Sequence, residues 1–482
     1  MKKRVKIIIF TVSIPLILIL LFIGFLQTST AKNIVKKIIV NKLNQLLVNE
    51  VKFNIENIDG NFISNLEIKN VKLSRENKKI VSVRKITIDY NLGKILAKKI
   101  TINKFLIDDI DFKLQQNEEQ NWNFENLFVI DSSETTKIKT EKSFKWDIAL
   151  EDFSINNTNV NIDTDLKNGF IPNQIRNLNI SLKAHISEKK SKLNLNKFSF
   201  QTLNPNFKIQ NIELEAYQKN QKMVLDTLLI KSNLNTIAAS GSFNMQTNKP
   251  EKLYLNCNSF QLAEFAKFLS NIPINEFPVI DLNAVYKNKF ARLSLDIQQG
   301  QQAIYLLGSL HSIFTNPEYQ LELILKKIDL NHWIENKNLS SNLNAKIIIN
   351  GSGFKPETLK SDFELEVYNS SFQDLKLENI SVKGFKKDSQ LNFMTEVKSN
   401  FAYLNLDSKI EKLFSTINYK VNGKLSKLNV KPIIKKKEFN SDIDLFFAIE
   451  GSNIKPEIMN TKIEINADKS QFAGIDINNF ST

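Results

Sequence analysis

At 482 residues the chain exceeds one ordinary hydrophobic core, which predicts two or three domains or one quasi-linear array. Thirteen glycines and ten prolines beside 34 phenylalanines exclude a disordered linker, because there is apolar material enough to bury. The net charge of +14 does not read as a nucleic-acid interface, since the lysines are dispersed, with no arginine-rich cluster, zinc-ligand spacing or RNA-binding signature.

The chain opens with Lys2, Lys3, Arg4 and Lys6 ahead of an uncharged apolar run at 7–26, which includes Ile7, Leu16, Leu20, Phe22 and Leu26. Twenty residues at about 1.5 Å each give roughly 30 Å, the hydrocarbon thickness of a bilayer. The expectation is a single transmembrane anchor, with residues 1–6 as a cytoplasmic basic cap and everything after Thr28 across the inner membrane, in the periplasm. Cleavage as a signal peptide is the alternative, supported by the small residues Ser29 to Ala31. Residues 27–50 then space apolar side chains helically (Ile34, Val35, Ile38, Ile39, Leu43, Leu46, Leu47), which predicts an amphipathic stalk.

From Phe53 the period changes to two, the mark of strands with one apolar and one wet face. The apolar positions are Ile86, Ile88 and Tyr90, then Leu193 and Leu195, Ile212 and Leu214, Leu253 and Leu255, and Leu293, Leu295 and Ile297. Further on come Phe363, Leu365 and Val367, Leu375 and Leu377, Leu404 and Leu406, Ile463 and Ile465, and Ile475 and Ile477. The lone Cys257 alternates with Leu253 and Leu255, as a small apolar filler would, and cannot form an internal disulfide. Short polar links predict an antiparallel meander of more than thirty short strands. Segments 260–273, 330–337 and 430–437 predict short helices or turns plugging the sheet, and 129–145, mixed in charge and poor in apolar residues, a flexible loop and boundary. The division is therefore 51–128, an N-terminal β cap, and 146–482, a repeated β region.

The repetition is explicit. At an ungapped offset of one hundred, Gly351, Lys355, Pro356, Glu357 and Phe372 recur as Gly451, Lys455, Pro456, Glu457 and Phe472, with the apolar positions 363, 365, 375 and 377, giving units of about 326–425 and 426–482. The second copy stops at Thr482 partway through, so the expectation is a fragment of a longer protein or a short member with an open sheet edge. A flat sheet this wide exposes far more apolar area than a soluble monomer tolerates. A second sheet, closure into a barrel, or curling into a trough covered by lipid tails would each hide it.

The block IDGNFISNLEIKNVKLS (58–74), the following VSVRKITIDYNLGKILAKKITINKFLIDDIDFKL (81–114) and NWNFENL (121–127), behind an inner-membrane anchor, resemble the AsmA-like superfamily, which includes AsmA and TamB. The resemblance implies a long curled antiparallel sheet, a β-taco or β-groove, built of repeats after one transmembrane helix. It further implies phospholipids as cargo moved between inner and outer membranes and, for TamB-type chains, a BamA-like outer-membrane partner engaged through a C-terminal region not present in this sequence.

Covalent chemistry has no foothold in the sequence. His185, His311 and His332 lie far apart with no ligand partner at metal spacing, so neither a zinc site nor a Ser-His-Asp triad is expected. Acidic pairs such as Asp108-Asp109 and Glu118-Glu119 sit in polar links, and no phosphate-binding, dinucleotide or nucleophile-elbow motif occurs. No catalytic residue, metal or cofactor is assigned. Three classes are left: a lipid conduit lined by the alternating apolar residues, a TamB-like scaffold for outer-membrane protein assembly, and a self-sealed structural β protein.

Overall fold

The computed structural model describes residues 24–117, 119–129, 146–164, 171–188, 190–268, 277–334, 337–467, 470–477 and 480–482. It is mostly β, with twenty-six strands among the described residues, and divides into two compact units, Met1–Pro250 and Glu251–Thr482. Ile7, Leu16, Leu20 and Phe22 lie outside the described residues, as does nearly all of 129–145; Leu26 is helical and half-buried. Among the described residues no helix is long and apolar enough to cross a membrane.

Unit 1 holds helix α1 (Ser29–Leu46) and strands β1 (Val51–Gly60), β2 (Asn65–Arg75), β3 (Lys78–Tyr90), β4 (Lys99–Gln115), β5 (Asp147–Asp163), β6 (Gln174–Ile186), β7 (Lys190–Leu203), β8 (Phe207–Lys219), β9 (Lys222–Ser232) and β10 (Thr236–Asn244). Each strand pairs with the next in chain order. The expected antiparallel meander fails at one place: β4 and β5 run parallel, from Lys99 beside Asp147 to Gln115 beside Asp163. A parallel pair needs a crossover that returns the chain to its starting end, and residues 116–146 are long enough to supply it. Among the described residues the strands are also longer and fewer than the more than thirty short ones that alternation suggests. β4 and β5 each run 17 residues through a position of positive φ, Asp109 and Asn157, past which the strand continues, and the β5–β6 register slips across Asn157.

Helix α1 lies along the outer edge of β1. Asn44 donates to the Phe53 carbonyl (2.9 Å) and accepts from the Phe53 N–H (2.8 Å), Lys36 donates to the Glu56 carbonyl (3.0 Å), and Lys32 pairs with Asp59 (2.6 Å). The helix thus occupies backbone groups that would otherwise template pairing with another chain.

Unit 2 holds β11 (Lys249–Gln261), β12 (Val279–Lys287), β13 (Phe290–Gln299), β14 (Gln302–His311), β15 (Glu318–Ile328), β16 (Ser341–Ser352), β17 (Lys360–Phe372), β18 (Leu375–Lys387), β19 (Gln390–Ser399), β20 (Tyr403–Glu411), β21 (Asn418–Leu428), β22 (Ser441–Ser452) and β23 (Asn460–Ala467). These form one antiparallel ladder in chain order. The short β24 (Ser470–Phe472), β25 (Ile475–Ile477) and β26 (Phe480–Ser481) follow, with β24 on β22 and β26 on β23. The three plugging segments are short helices: a 3-10 turn at Leu262–Phe268, α2 (Leu330–Ile334) and α3 (Lys431–Ile434).

The hundred-residue offset is written in hydrogen bonds as well as in sequence. Ser341 accepts from the Leu330 N–H (2.8 Å) as Ser441 does from Val430 (2.9 Å), Ser370 accepts from Asn344 (2.8 Å) as Ser470 does from Asp444 (3.0 Å), and Asn344 holds Lys327 (3.0 Å) as Asp444 holds Lys427 (2.7 Å). Lys327 and Lys427 share the same left-handed backbone. The repeat therefore preserves the polar pins that hold each bulge and short helix in place.

Candidate functional site

Directly paired residues of neighbouring strands place their side chains on one face. Following the pairing across unit 2 gives an unbroken row: Cys257, Leu282, Leu295, Leu306, Leu323, Ile347, Leu365, Val382, Thr395, Leu406, Gly423, Phe447, Ile465. On one side of it runs a row from Leu255 through Leu293, Leu321, Phe363 and Val421 to Ile463, and on the other a row from Phe260 through Ile297, Leu325, Val367, Leu404 and Leu445 to Ala467. Thirteen strands about 4.8 Å apart carry these rows over roughly 60 Å. Shifted by one residue, the other face reads Asn283, Ser294, Leu307, Glu322, Ile348, Glu364, Lys383, Met394, Asp407, Asn422, Ala448, Glu464. One face is thus apolar and the other mixed and charged.

The apolar face is not sealed. Its central row is half-buried, not buried, from Leu282 to Ile465. Connections fold over its flanks. At one end Phe314 meets Tyr286 edge to face (5.7 Å), Phe354 stacks on Tyr319 (5.8 Å), and the Lys386 ammonium lies 5.3 Å from the Phe414 ring. At the other end Phe265 stacks on Phe260 (5.5 Å), and α2 is tied down by Trp333 Nε1 donating to Gln302 (2.9 Å) and by a His332–Gln299 hydrogen bond (2.9 Å). Tyr286 and Tyr319 are consequently buried, and burial pushes the Tyr319 hydroxyl above the usual phenol range, so it stays a donor.

The sequence-predicted positions fall as follows. Leu295, Leu365, Leu406 and Ile465 share the central row; Leu255, Leu293, Phe363 and Ile463 share the second; Ile297, Val367 and Leu404 share the third; Leu253 heads a fourth, with Tyr286, Tyr319, Lys386 and Tyr419. Leu375 and Leu377 lie beyond a register slip in β18, and Ile475 and Ile477 lie in β25, which pairs with β24 rather than with the ladder. In unit 1, Leu195 and Leu214 belong to a row from Leu66 through Ile88, Phe105, Phe153, Leu182 and Leu228 to Ala239; Leu193 and Ile212 lie beside it on the same face.

Sequence reading missed the flank residues. Tyr319 and Tyr419 recur at the same offset as Gly351 and Gly451, and the reason is now visible: a Cβ at Gly351 would lie 2.8 Å from the Tyr319 hydroxyl, and one at Gly451 2.6 Å from that of Tyr419. Each tyrosine lies across the neighbouring strand where only glycine fits. Missed too was Lys386, 8% exposed, the one charged side chain among the described residues of these four rows.

Other chemistry is dispersed. His185 pairs with Asp147, His311 with Ser312 (3.0 Å), and among the described residues no three His, Cys, Asp or Glu come together as metal ligands. Burial raises the Cys257 thiol pKa, which opposes thiolate formation. The clefts of unit 2 open on the polar face, one of them about 580 Å³ and bordered by Arg292, Ser294, Leu307, Glu322 and Ile348, with opposed charges and no convergent set of reacting groups. Comparison with protein families, curated proteins and solved structures gave no match. The apolar faces are therefore read on their own chemistry.

Proposed function

We propose that this chain is an inner-membrane-anchored periplasmic protein that carries phospholipid acyl chains along its apolar sheet face toward the outer membrane. One observation carries the reading: rows of mainly apolar side chains, interrupted in the central row by Thr395 and Gly423, cross the thirteen strands of unit 2 and stay half-buried rather than buried. A self-sealed core would bury Leu365, Leu406 and Phe447 as fully as Tyr286; their partial exposure favours a mobile, chemically repetitive cover, and acyl chains fit that description. The folded-over flanks form the walls of a trough, and the apolar run at 7–26 supplies the anchor. The likeness of 58–127 to AsmA-like chains agrees with both.

The test is photocrosslinking in cells, with benzoylphenylalanine at Leu365, Leu406 or Ile465 against Glu364, Asp407 or Glu464. Phospholipid adducts are expected at the first three positions and not at the second three. Equal labelling of both sets, or none at either, refutes the reading.

A further inference from the structure

The fourth row of unit 2 contains a run of polar groups on an otherwise apolar face: Tyr319, Gly351, Ser361 and Lys386 are successive partners on β15, β16, β17 and β18. Tyr319 is 8% exposed and the hydroxyl end of its ring lies over Gly351. Its hydroxyl has no hydrogen-bond partner among the described residues, and the oxygen still touches solvent. The Ser361 hydroxyl, half-buried, is likewise without a partner among the described residues. In the second copy the equivalent hydroxyl is occupied, because Tyr419 bonds Thr461 across Gly451. Lys386 donates to the Pro356 carbonyl (2.5 Å) and the Leu359 carbonyl (2.7 Å), and no carboxylate pairs with it among the described residues. An ammonium has three donors, and carbonyls take two. The run thus offers two hydroxyls and an ammonium, the latter held by two carbonyls and 5.3 Å from the Phe414 ring, with no carboxylate paired to it among the described residues, a set that an anionic oxygen would complement.

We propose that Tyr319, Ser361 and Lys386 form a binding notch for a phosphate diester, the headgroup phosphate of a phospholipid whose acyl chains lie against Phe363, Leu365 and Val382 on the same two strands. Two hydroxyls and an ammonium suit the oxygens of such a group. The flank places them where the apolar rows end, so the headgroup sits at the rim while the chains run inward along β17 and β18. The proposal rests on the lipid reading above and sharpens it, making the face selective for lipids that carry phosphate.

The experiment uses the full chain in detergent micelles, titrated with dioleoyl phosphatidylglycerol, with dioleoyl glycerol, which has the same chains and no phosphate, and with inorganic phosphate, and read by native mass spectrometry. Tyr319→Phe removes one oxygen and Lys386→Met the charge while keeping the stem. Each is expected to weaken phosphatidylglycerol binding about tenfold, the scale of a hydrogen bond to a charged group, and to leave dioleoyl glycerol unchanged. Lys386→Met also frees the 353–359 loop, so Tyr319→Phe, which leaves that loop pinned, is the deciding variant. Unchanged phosphatidylglycerol binding in Tyr319→Phe, or equal weakening of both lipids, overturns the notch and leaves the lipid reading standing. Saturable binding of inorganic phosphate alone, lost in both variants, assigns the site to a free anion and overturns the headgroup. Failure of the unsubstituted chain to bind either lipid overturns the lipid reading and the notch with it.

Discussion

Leu365 and Ile465 stand six strand steps apart in a single row, joined through Val382, Thr395, Leu406, Gly423 and Phe447. Six is an even number, so after one hundred residues the chain runs in its original direction and presents the same face. An odd number of strands per repeat would reverse the direction and place the copied loops at the opposite end. The repeat therefore extends the apolar rows by about 29 Å at a time without changing their chemistry.

Charge placed in those rows should act by parity. Leu365→Asp and Ile465→Asp put an unpaired carboxylate on the apolar face, at a cost of several kcal/mol to any acyl chain that must pass it. Glu364→Lys and Glu464→Lys change exposed ion pairs with Lys383 (3.6 Å) and Lys462 (2.6 Å), which solvent screens, so little is lost. Lipid adducts at Leu406 should fall at least tenfold in the first pair and stay within about twofold in the second, by the usual conversion of 1.4 kcal/mol per decade. Equal effects at odd and even positions remove the conduit.

Gly423 makes a packing prediction on the same row. A Cβ there would overlap the ring of Phe447 on the neighbouring strand. Gly423→Ala should lower stability by about 1–3 kcal/mol, the usual range for overpacking. Adding Phe447→Leu should recover most of it, because the smaller side chain vacates the space. Urea midpoints of both single variants and the double variant measure the coupling, and strict additivity contradicts the contact.

The period-two pattern made the apolar face legible because that face needs only alternation. Leu293, Leu295, Phe363, Leu365, Leu404 and Leu406 fall in three contiguous rows for that reason. Alternation fails at the bulges. Across Asp109, Lys327 and Lys427 the apolar residue comes three positions on, so one strand reads as two and the count is inflated. The parallel β4–β5 pair left no local trace, since strand direction is decided by where the crossover lands. Lys386 was illegible because its role depends on carbonyls of a loop about thirty residues earlier, whereas Tyr319 and Tyr419 could have been found from their own hundred-residue spacing.

Asn44 should matter more than its exposed helix suggests. Its amide takes both the N–H and the carbonyl of Phe53 on the outer edge of β1. Asn44→Ala leaves that pair unsatisfied, costing about 1–3 kcal/mol locally. Hydrogen exchange at the Phe53 amide should rise roughly tenfold or more by the same measure. An unchanged Phe53 rate shows that the edge is closed by something other than α1.

The end of α1 nearest Asp59 should loosen in acid, and the sign follows from the direction of one pKa. The hydrogen bond from Lys32 (2.6 Å), then that from the Gly60 N–H (2.8 Å), hold the Asp59 carboxyl below its ordinary value of 3.8. A depressed carboxylate stabilises the fold fully above its unfolded pKa and loses that contribution as pH falls through the lower folded value. The window therefore opens just below pH 3.8, well under the range in which a histidine would titrate. Amide exchange in α1, corrected for intrinsic rates, should stay level from neutral pH down to about 4 and accelerate only below 3.8, as Asp59 protonates. Asp59→Asn should be faster at neutral pH and nearly flat across the acid window, because the charge being titrated is gone. The neighbouring Glu67, held low by Lys69 and Lys85 within the sheet, titrates in both proteins and so cancels in the comparison. If the unsubstituted chain and Asp59→Asn accelerate together, another group loosens the helix, and the Lys32–Asp59 pair does not fasten α1 to β1.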